Sequence, residues 1–276
     1  METELFKNTQ PEILSLPSIK TKSGTIVAGF STRIGGLSSS PYATLNFGYH
    51  VGDDPEIVTQ NRRRFGELIG IEPEKWIAGE QVHGNEVASV TQADAGKGAL
   101  DYSSTLSGID GLLTDQTNSL LTACFADCTP LFFWSENTPA VGLAHAGWKG
   151  TVGEIAAVMT QRFFQDFGIS AHDLKAAIGP SIGPCCYEVD DRVANRVKEI
   201  SGIDDHDVLE MKDNSRYMLN LQLLNKLILL KSGILAENIF TTTLCTSCHT
   251  ELFFSHRKEG GPTGRMMGYI GIISGD

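Results

Sequence analysis

Three short stretches of this 276-residue chain end an apolar run on a metal-competent side chain beside a tight turn. They are Gln81-Val82-His83-Gly84, Ala126-Asp127-Cys128-Thr129-Pro130 and Ala144-His145-Ala146-Gly147-Trp148. Gaps of 45 and 17 residues separate His83, Cys128 and His145, far wider than the ligand pairs of a zinc finger. Ligands so far apart at strand ends make a site that the fold must assemble. One thiolate and two imidazoles leave the fourth tetrahedral position to water or substrate, the open form of catalytic zinc, and one such ion is expected here. An ion of that kind brings the pKa of its water down to about 7 and yields a nucleophile at neutral pH. Two other readings use the same residues. Cys128 with His145 as its base makes a cysteine hydrolase or deamidase and leaves His83 idle. A zinc-binding accessory protein without catalysis uses all three. Singly, a His beside a turn is more often a structural residue, and a Cys in an apolar run a small core hydrophobe.

Strands must carry such residues, and the chain supplies many. Trp76 to Val82, Glu86 to Val90, Leu112 to Thr114, Leu120 to Phe125, Leu131 to Trp134 and Ala140 to Ala144 are apolar runs of strand length, most of them separated by turn residues. Gly24 to Ser31, Leu174 to Ile178, Ile239 to Leu244, Leu252 to Ser255 and Met267 to Ile273 read likewise. Asp54 and Pro55 start a helix that Gly70 stops. Gly150 to Phe167, with apolar residues at 3–4 spacing and Gly168 after it, is the strongest helix; Asp191 to Ile200 and Leu221 to Lys231 are two more. Consecutive strands in the first half, without strict strand–helix alternation, predict an α+β fold: one domain over residues 1–276, with mixed β-sheets flanked by helices.

Composition narrows the function. Lys and Arg number 22 against 33 Asp and Glu, a net charge of −11, which argues against a nucleic-acid partner. No run approaches the roughly 20 apolar residues of a membrane span. The N-terminal METELFKNTQPEI lacks the basic-then-apolar order of a secretory signal, so a cytoplasmic location is expected, with the six Cys free, metal-bound or catalytic. Cys245-Thr-Ser-Cys248-His249 spells a haem-attachment pattern. Without export it reads as a reduced turn, and Cys185-Cys186 as packing residues.

Beyond these local features, the chain resembles the YfiH/YlmD-like family, also known as laccase-domain proteins and once called multicopper polyphenol oxidases. The resemblance rests on GFSTRIGG (29–36), LNFG (45–48), QVHG (81–84), DGLLTD (110–115), ADCTPLFF (126–133), GLAHAGWKGT (142–151), IGPSIGPCCYEV (178–189) and FFSHRKEGGPTGRMMG (253–268), in that order. It implies an α+β fold and a mononuclear zinc site, which falls on His83, Cys128 and His145. It also implies phosphorolysis of adenosine, inosine, guanosine and 5′-methylthioadenosine, and deamination of adenosine, so a transferase with a hydrolase activity, acting on purine nucleosides and phosphate. The laccase label suits the chain poorly: it has only seven His, and two are assigned to zinc.

Phosphorolysis needs cations for phosphate. Arg33, in a Gly-rich loop, offers a bidentate fork and is a candidate catalytic residue. Asp127 is the candidate acid or base, although its neighbour Cys128 points to the opposite face of an extended chain; Glu80 is another. Asn46, Arg257 and Arg265 are candidate substrate contacts, the last two from a cationic, Gly-rich stretch in an otherwise acidic chain. The oligomeric state and the preferred nucleoside leave no signature in the sequence.

Overall fold

The apolar runs between residues 76 and 146 do become strands, and the chain divides them between two sheets. The computed structural model describes residues 4–213 and 215–275. In chain order its strands are β1 (Lys7–Gln10), β2 (Ile13–Ser15), β3 (Ile19–Thr21), β4 (Gly24–Ser31), β5 (Trp76–Ala78), β6 (Val87–Ser89), β7 (Gly111–Thr114), β8 (Leu120–Phe125), β9 (Thr129–Ser135), β10 (Ala140–Ala146), β11 (Lys175–Ile178), β12 (Glu188–Asp190), β13 (Leu209–Asp213), β14 (Arg216–Leu219), β15 (Ile239–Thr241) and β16 (Met266–Ile273). The helices are α1 (Pro55–Ile69), α2 (Trp148–Val152), α3 (Ile155–Phe167), α4 (Asp191–Lys198), α5 (Leu221–Lys231) and α6 (His256–Glu259).

The first sheet runs β1-β2-β4-β16-β8-β5, with β3 also on β4. It is antiparallel except where β5 lies parallel to β8. The second runs β15-β11-β9-β10-β7-β6, antiparallel at its centre with a parallel pair at each edge. A small antiparallel sheet, β12-β14-β13, completes the α+β architecture expected from the sequence.

Every residue of β9 and β10 is buried, because both faces of the second sheet are covered. Alternation of side chains sends Leu131 and Phe133 to α3 and α5, and Phe132 and Trp134 to the first sheet. On the far side of the first sheet α1 packs Phe65 against Trp76, Leu45 and Phe47. The layers are therefore helix, sheet, sheet, helices. Gly142 shows how closely α3 lies on β10: a Cβ there would sit 2.7 Å from Met159 Cε and 3.0 Å from the Phe163 ring.

Two expectations need correction, and some short strands were not expected. The helix expected over Gly150 to Phe167 is two helices. Glu154 adopts left-handed φ (55°), and the Asn85 side chain donates to the Gly153 carbonyl at 2.7 Å, so the chain turns between α2 and α3. Leu252 to Ser255 forms no strand, because Leu252 N and Phe253 N donate back to His249 O in a turn. The N-terminal strands β1 to β3 and the strands β13 and β14, of three to five residues each, are too short to show a clear period-two signal. Among the described residues no helix is long and apolar enough to cross a membrane.

Candidate metal centre

His83 lies in the loop that follows β5 of the first sheet, and His145 lies near the end of β10 in the second. Cys128 occupies the crossing, residues 126–128, by which the chain leaves β8 of one sheet for β9 of the other. The site is thus set where the two layers meet, and one ligand atom from each residue lies within 4.8 Å of the other two.

Asp110, just before β7, organises this arrangement. Its buried carboxylate accepts the amides of Val82 (3.1 Å), His83 (3.1 Å) and Gly84 (2.7 Å), and His145 Nδ1 lies 2.8 Å from its Oδ1. The Asp110 carbonyl also accepts the His145 amide at 2.8 Å. The three converging amides hold His83 at a left-handed φ of 61°, a conformation uncommon outside glycine. The contact to His145 Nδ1 turns Nε2 toward Cys128, the outer-shell arrangement that orients metal-binding imidazoles. Burial opposes the charge on Asp110, but the bonds from His145 and from the Gly84 and Val82 amides outweigh it and hold the carboxyl below its usual range.

Burial likewise pushes the Cys128 thiol up. The charge and hydrogen bond of His145, with a further bond from His83, bring it down to about 6. In His145 burial acts downward, while the Cys128 sulfur and the Asp110 bond carry it up to about 9. Cys128 is therefore a thiolate held against two imidazoles whose rings stand 4.8 Å apart at 77°. Gly147 keeps the space beside them open, since a Cβ there would lie 3.0 Å from Cys128 Sγ and 3.1 Å from His83 Cδ2. Donor chemistry, an oriented imidazole and a guarded space all fit a tetrahedral ion with one position free.

Two cavities open from this point, both bordered by His83, Cys128 and His256. One, of about 260 Å³, is walled by Trp148, Tyr187, Ile182 and Leu221, with Arg257 and Asp127 at its margin. The other, of about 270 Å³, is lined by His50, Gln81, Cys124, His145 and Arg265. Burial, with the nearby charges of Arg265 and Arg62, lowers His50 to about 4, so Arg265 and not His50 brings positive charge to that side of the second cavity.

Arg257 and Arg265 thus reach the cavities. Arg257 Nη1 donates to Glu188 O at 2.7 Å and its guanidinium lies 5.0 Å from the Tyr187 ring centroid. Asp127 borders the first cavity, but both of its oxygens are engaged, by Thr246 Oγ1 (2.7 Å) and by the Arg257 amide (2.7 Å), and its φ of 81° is again left-handed. Arg33 and Asn46 line neither cavity. The Arg33 guanidinium donates to the carbonyls of Ala43 and Thr250, pairs with Glu259 at 3.0 Å and covers the Phe254 ring. Asn46 is fully buried and accepts the Arg265 amide at 2.9 Å, so it acts on the site only through the chain beneath Arg265. Glu80 accepts from Ser107 away from both cavities. Sequence reasoning did not single out Asp110, Gly147, Trp148, Tyr187, Gln81 or His50. Only Asp110 carried a signal, as an acid heading a buried strand.

Fold and site together define an α+β protein of two stacked mixed sheets with a Cys-His-His cluster at their junction. Residues 27–273 match the family described as multi-copper polyphenol oxidoreductase laccase, and the chain belongs to that family. It is 45% identical over 247 residues to the purine nucleoside phosphorylase YlmD of Geobacillus stearothermophilus, covering 89% of each chain. It is 42% identical over 247 residues to that of Bacillus subtilis, covering 90% of this chain and 88% of the relative. The crystal structure of YlmD from Geobacillus stearothermophilus superimposes with a TM-score of 0.93 at 40% identity, over 99% of this chain and 100% of that one. A hypothetical protein YfiH from Bacillus licheniformis gives a TM-score of 0.93 at 37% identity, over 97% and 98%. Despite the family's description, the metal-competent clusters among the described residues bring no more than two imidazoles together.

Proposed function

We propose that this chain is a zinc-dependent purine nucleoside phosphorylase. It converts adenosine, inosine, guanosine or 5′-methylthioadenosine, with phosphate, to the free base and the sugar 1-phosphate, and it also deaminates adenosine. The observation that carries this reading is the meeting of His83, Cys128 and His145 between an aromatic cavity and a cationic one. The printed names of the relatives support it. Cys128 Sγ and the two imidazoles would hold the zinc, which would supply a Lewis acid there.

The protein's own part is placement. Trp148 and Tyr187 offer the apolar walls that a flat purine fills, and Arg257 closes over Tyr187 at the rim. Arg265, with neutral His50, holds phosphate in the second cavity, within reach of the sugar carbon that loses its base. As the carbon–nitrogen bond to the base breaks, a phosphate oxygen bonds to that carbon, and the departing base takes up the proton that phosphate gives up. For deamination, water adds to the purine carbon and ammonia leaves. Asp110 fixes the ring of His145 throughout. Asp127, Arg33 and Asn46 are positioning residues in this scheme, because their polar atoms are committed to the chain that carries Arg257, Arg265 and α6.

Release of hypoxanthine from inosine only when phosphate is present, together with zinc in protein purified without a polyhistidine tag, is the expected result. Activity unchanged in Cys128→Ala refutes it. One arrangement favours a second reading: Asp110, His145 and Cys128 are linked in series, as in a thiol hydrolase. In that case an alkylating agent inactivates the metal-free enzyme and chelators leave activity intact.

A further inference from the structure

Four cysteines lie outside this centre. In sequence they form two pairs: adjacent Cys185 and Cys186 in the segment between β11 and β12, and Cys245 and Cys248 in the segment after β15. The fold unites the pairs. One sulfur from each of the four lies within 4.8 Å of every other, and Cys185 Sγ and Cys186 Sγ are each 3.4 Å from Cys248 Sγ. All four are free thiols. A disulfide needs about 2.05 Å between its sulfurs, and it joins them two by two. Here four sulfurs converge on one point. With metal–sulfur bonds of about 2.3 Å, the edge of a tetrahedron of thiolates is about 3.8 Å, which falls between the 3.4 Å contacts and the 4.8 Å limit. A polynuclear iron–sulfur cluster, with its own sulfides between the irons, would hold its cysteines further apart.

The surroundings are those of a ligand set. The Gly183 amide donates to Cys245 Sγ at 3.2 Å, an outer contact that orients a thiolate. Cys245 pairs with Ser181 in an isolated bridge, and the Thr246 amide donates to Ser181 O at 3.0 Å, so the two segments are already in register beneath the sulfurs. Gly183 has little room for a side chain, since a Cβ there would be 3.3 Å from Cys245 Cβ and 3.4 Å from Cys185 Sγ. Cys245 is buried, while Cys185 and Cys248 are exposed, which leaves the cluster open to an arriving ion on one side.

We propose that Cys185, Cys186, Cys245 and Cys248 form a second, structural zinc site, four thiolates around one tetrahedral ion, each thiol releasing its proton on binding. Soft sulfur ligands in a closed tetrahedral set select zinc and leave no position for substrate. Its role is to clamp the wall of the aromatic cavity. The Ile182 amide donates to Asp127 O at 3.0 Å, the Tyr187 amide to Gly183 O at 3.0 Å, and Thr246 Oγ1 to Asp127 Oδ1 at 2.7 Å. Ile182, Tyr187 and Asp127 all border that cavity.

The test is metal content, measured on tag-free full-length protein after dialysis, with zinc as the probe. Wild type should hold two zinc ions per chain, Cys185→Ser/Cys248→Ser one, and His83→Ala/Cys128→Ala one. In wild type loaded with cadmium-113, which needs no variant to fold, NMR should show one resonance in the all-thiolate region apart from that of the mixed nitrogen–sulfur site. In His83→Ala/Cys128→Ala, the Cys185, Cys186, Cys245 and Cys248 thiols should gain reactivity toward a disulfide reagent when a chelator is added. Absence of an all-thiolate cadmium resonance overturns the proposal. So does recovery of these cysteines as disulfides from anaerobically purified protein. A failed nucleoside assay leaves both readouts unchanged, so this site and the proposed activity stand or fall separately.

Discussion

Asp110→Asn is the sharpest perturbation of the candidate centre, because it changes one atom and leaves shape intact. In the native site Oδ2 accepts the Val82 and Gly84 amides, and Oδ1 accepts the His83 amide and faces His145 Nδ1. An amide group has one acceptor and one donor end. With its NH2 toward His145 it faces the His83 amide and forces His145 to present a protonated Nε2, which cannot bind a metal. With its NH2 toward Val82 and Gly84, two amides meet a donor and the strained His83 loop is released. Either orientation removes two of the four contacts. At about 1.5–3 kcal/mol for each bond to a charged acceptor, the upper bound is about 3–6 kcal/mol. Relaxation of the exposed loop shrinks this, and removal of a residue that orients a metal ligand typically costs about 10- to 100-fold in affinity, or about 1.4–2.7 kcal/mol. The assay is competition for zinc against a chromophoric chelator at neutral pH, with thermal unfolding of the metal-free protein alongside. Zinc affinity within about twofold of the parent would show that Asp110 does not hold the ligands.

Gly147→Ala should abolish zinc binding at this centre while the far-ultraviolet dichroism stays native, since its Cβ would crowd Cys128 Sγ and the His83 ring at 3.0 and 3.1 Å. Arg33→Ala should lower stability by about 2–4 kcal/mol in urea through the loss of its backbone and Glu259 contacts, with KM for phosphate in the folded fraction raised far less than by Arg265→Ala. Arg265→Ala should raise the KM for phosphate by about tenfold or more and affect that for the nucleoside far less; an equal rise in both contradicts the placement of phosphate in the second cavity.

What the sequence made legible follows the range of the interactions concerned. The start of α1 is written locally: Asp54 Oδ1 accepts the Glu56 amide at 2.9 Å, and Gly70 takes the left-handed cap. The strands β8 to β10 declare themselves by apolar runs. The break between α2 and α3 does not, because it depends on Asn85, 68 residues earlier, holding the Gly153 carbonyl. The same holds at the site. His83, Cys128 and His145 stand out as metal-competent groups at strand ends, but Asp110 gains its role only when a loop 26 to 28 residues upstream folds its amides onto it. Arg33 has the composition of an anion ligand, and the fold gives it carbonyls instead. The cysteine pairs, 59 to 63 residues apart, show no sign in the sequence that they meet.

Because β8 and β9 belong to different sheets, the three-residue hop between them works as a seam, with one donor on it and one on either bank. The spacing of His83, Cys128 and His145 is then a gauge of how the two layers sit on each other. A substitution deep in the interlayer core, at Phe132 or Leu143 for example, shifts one bank relative to the other and is felt at the trio without touching it.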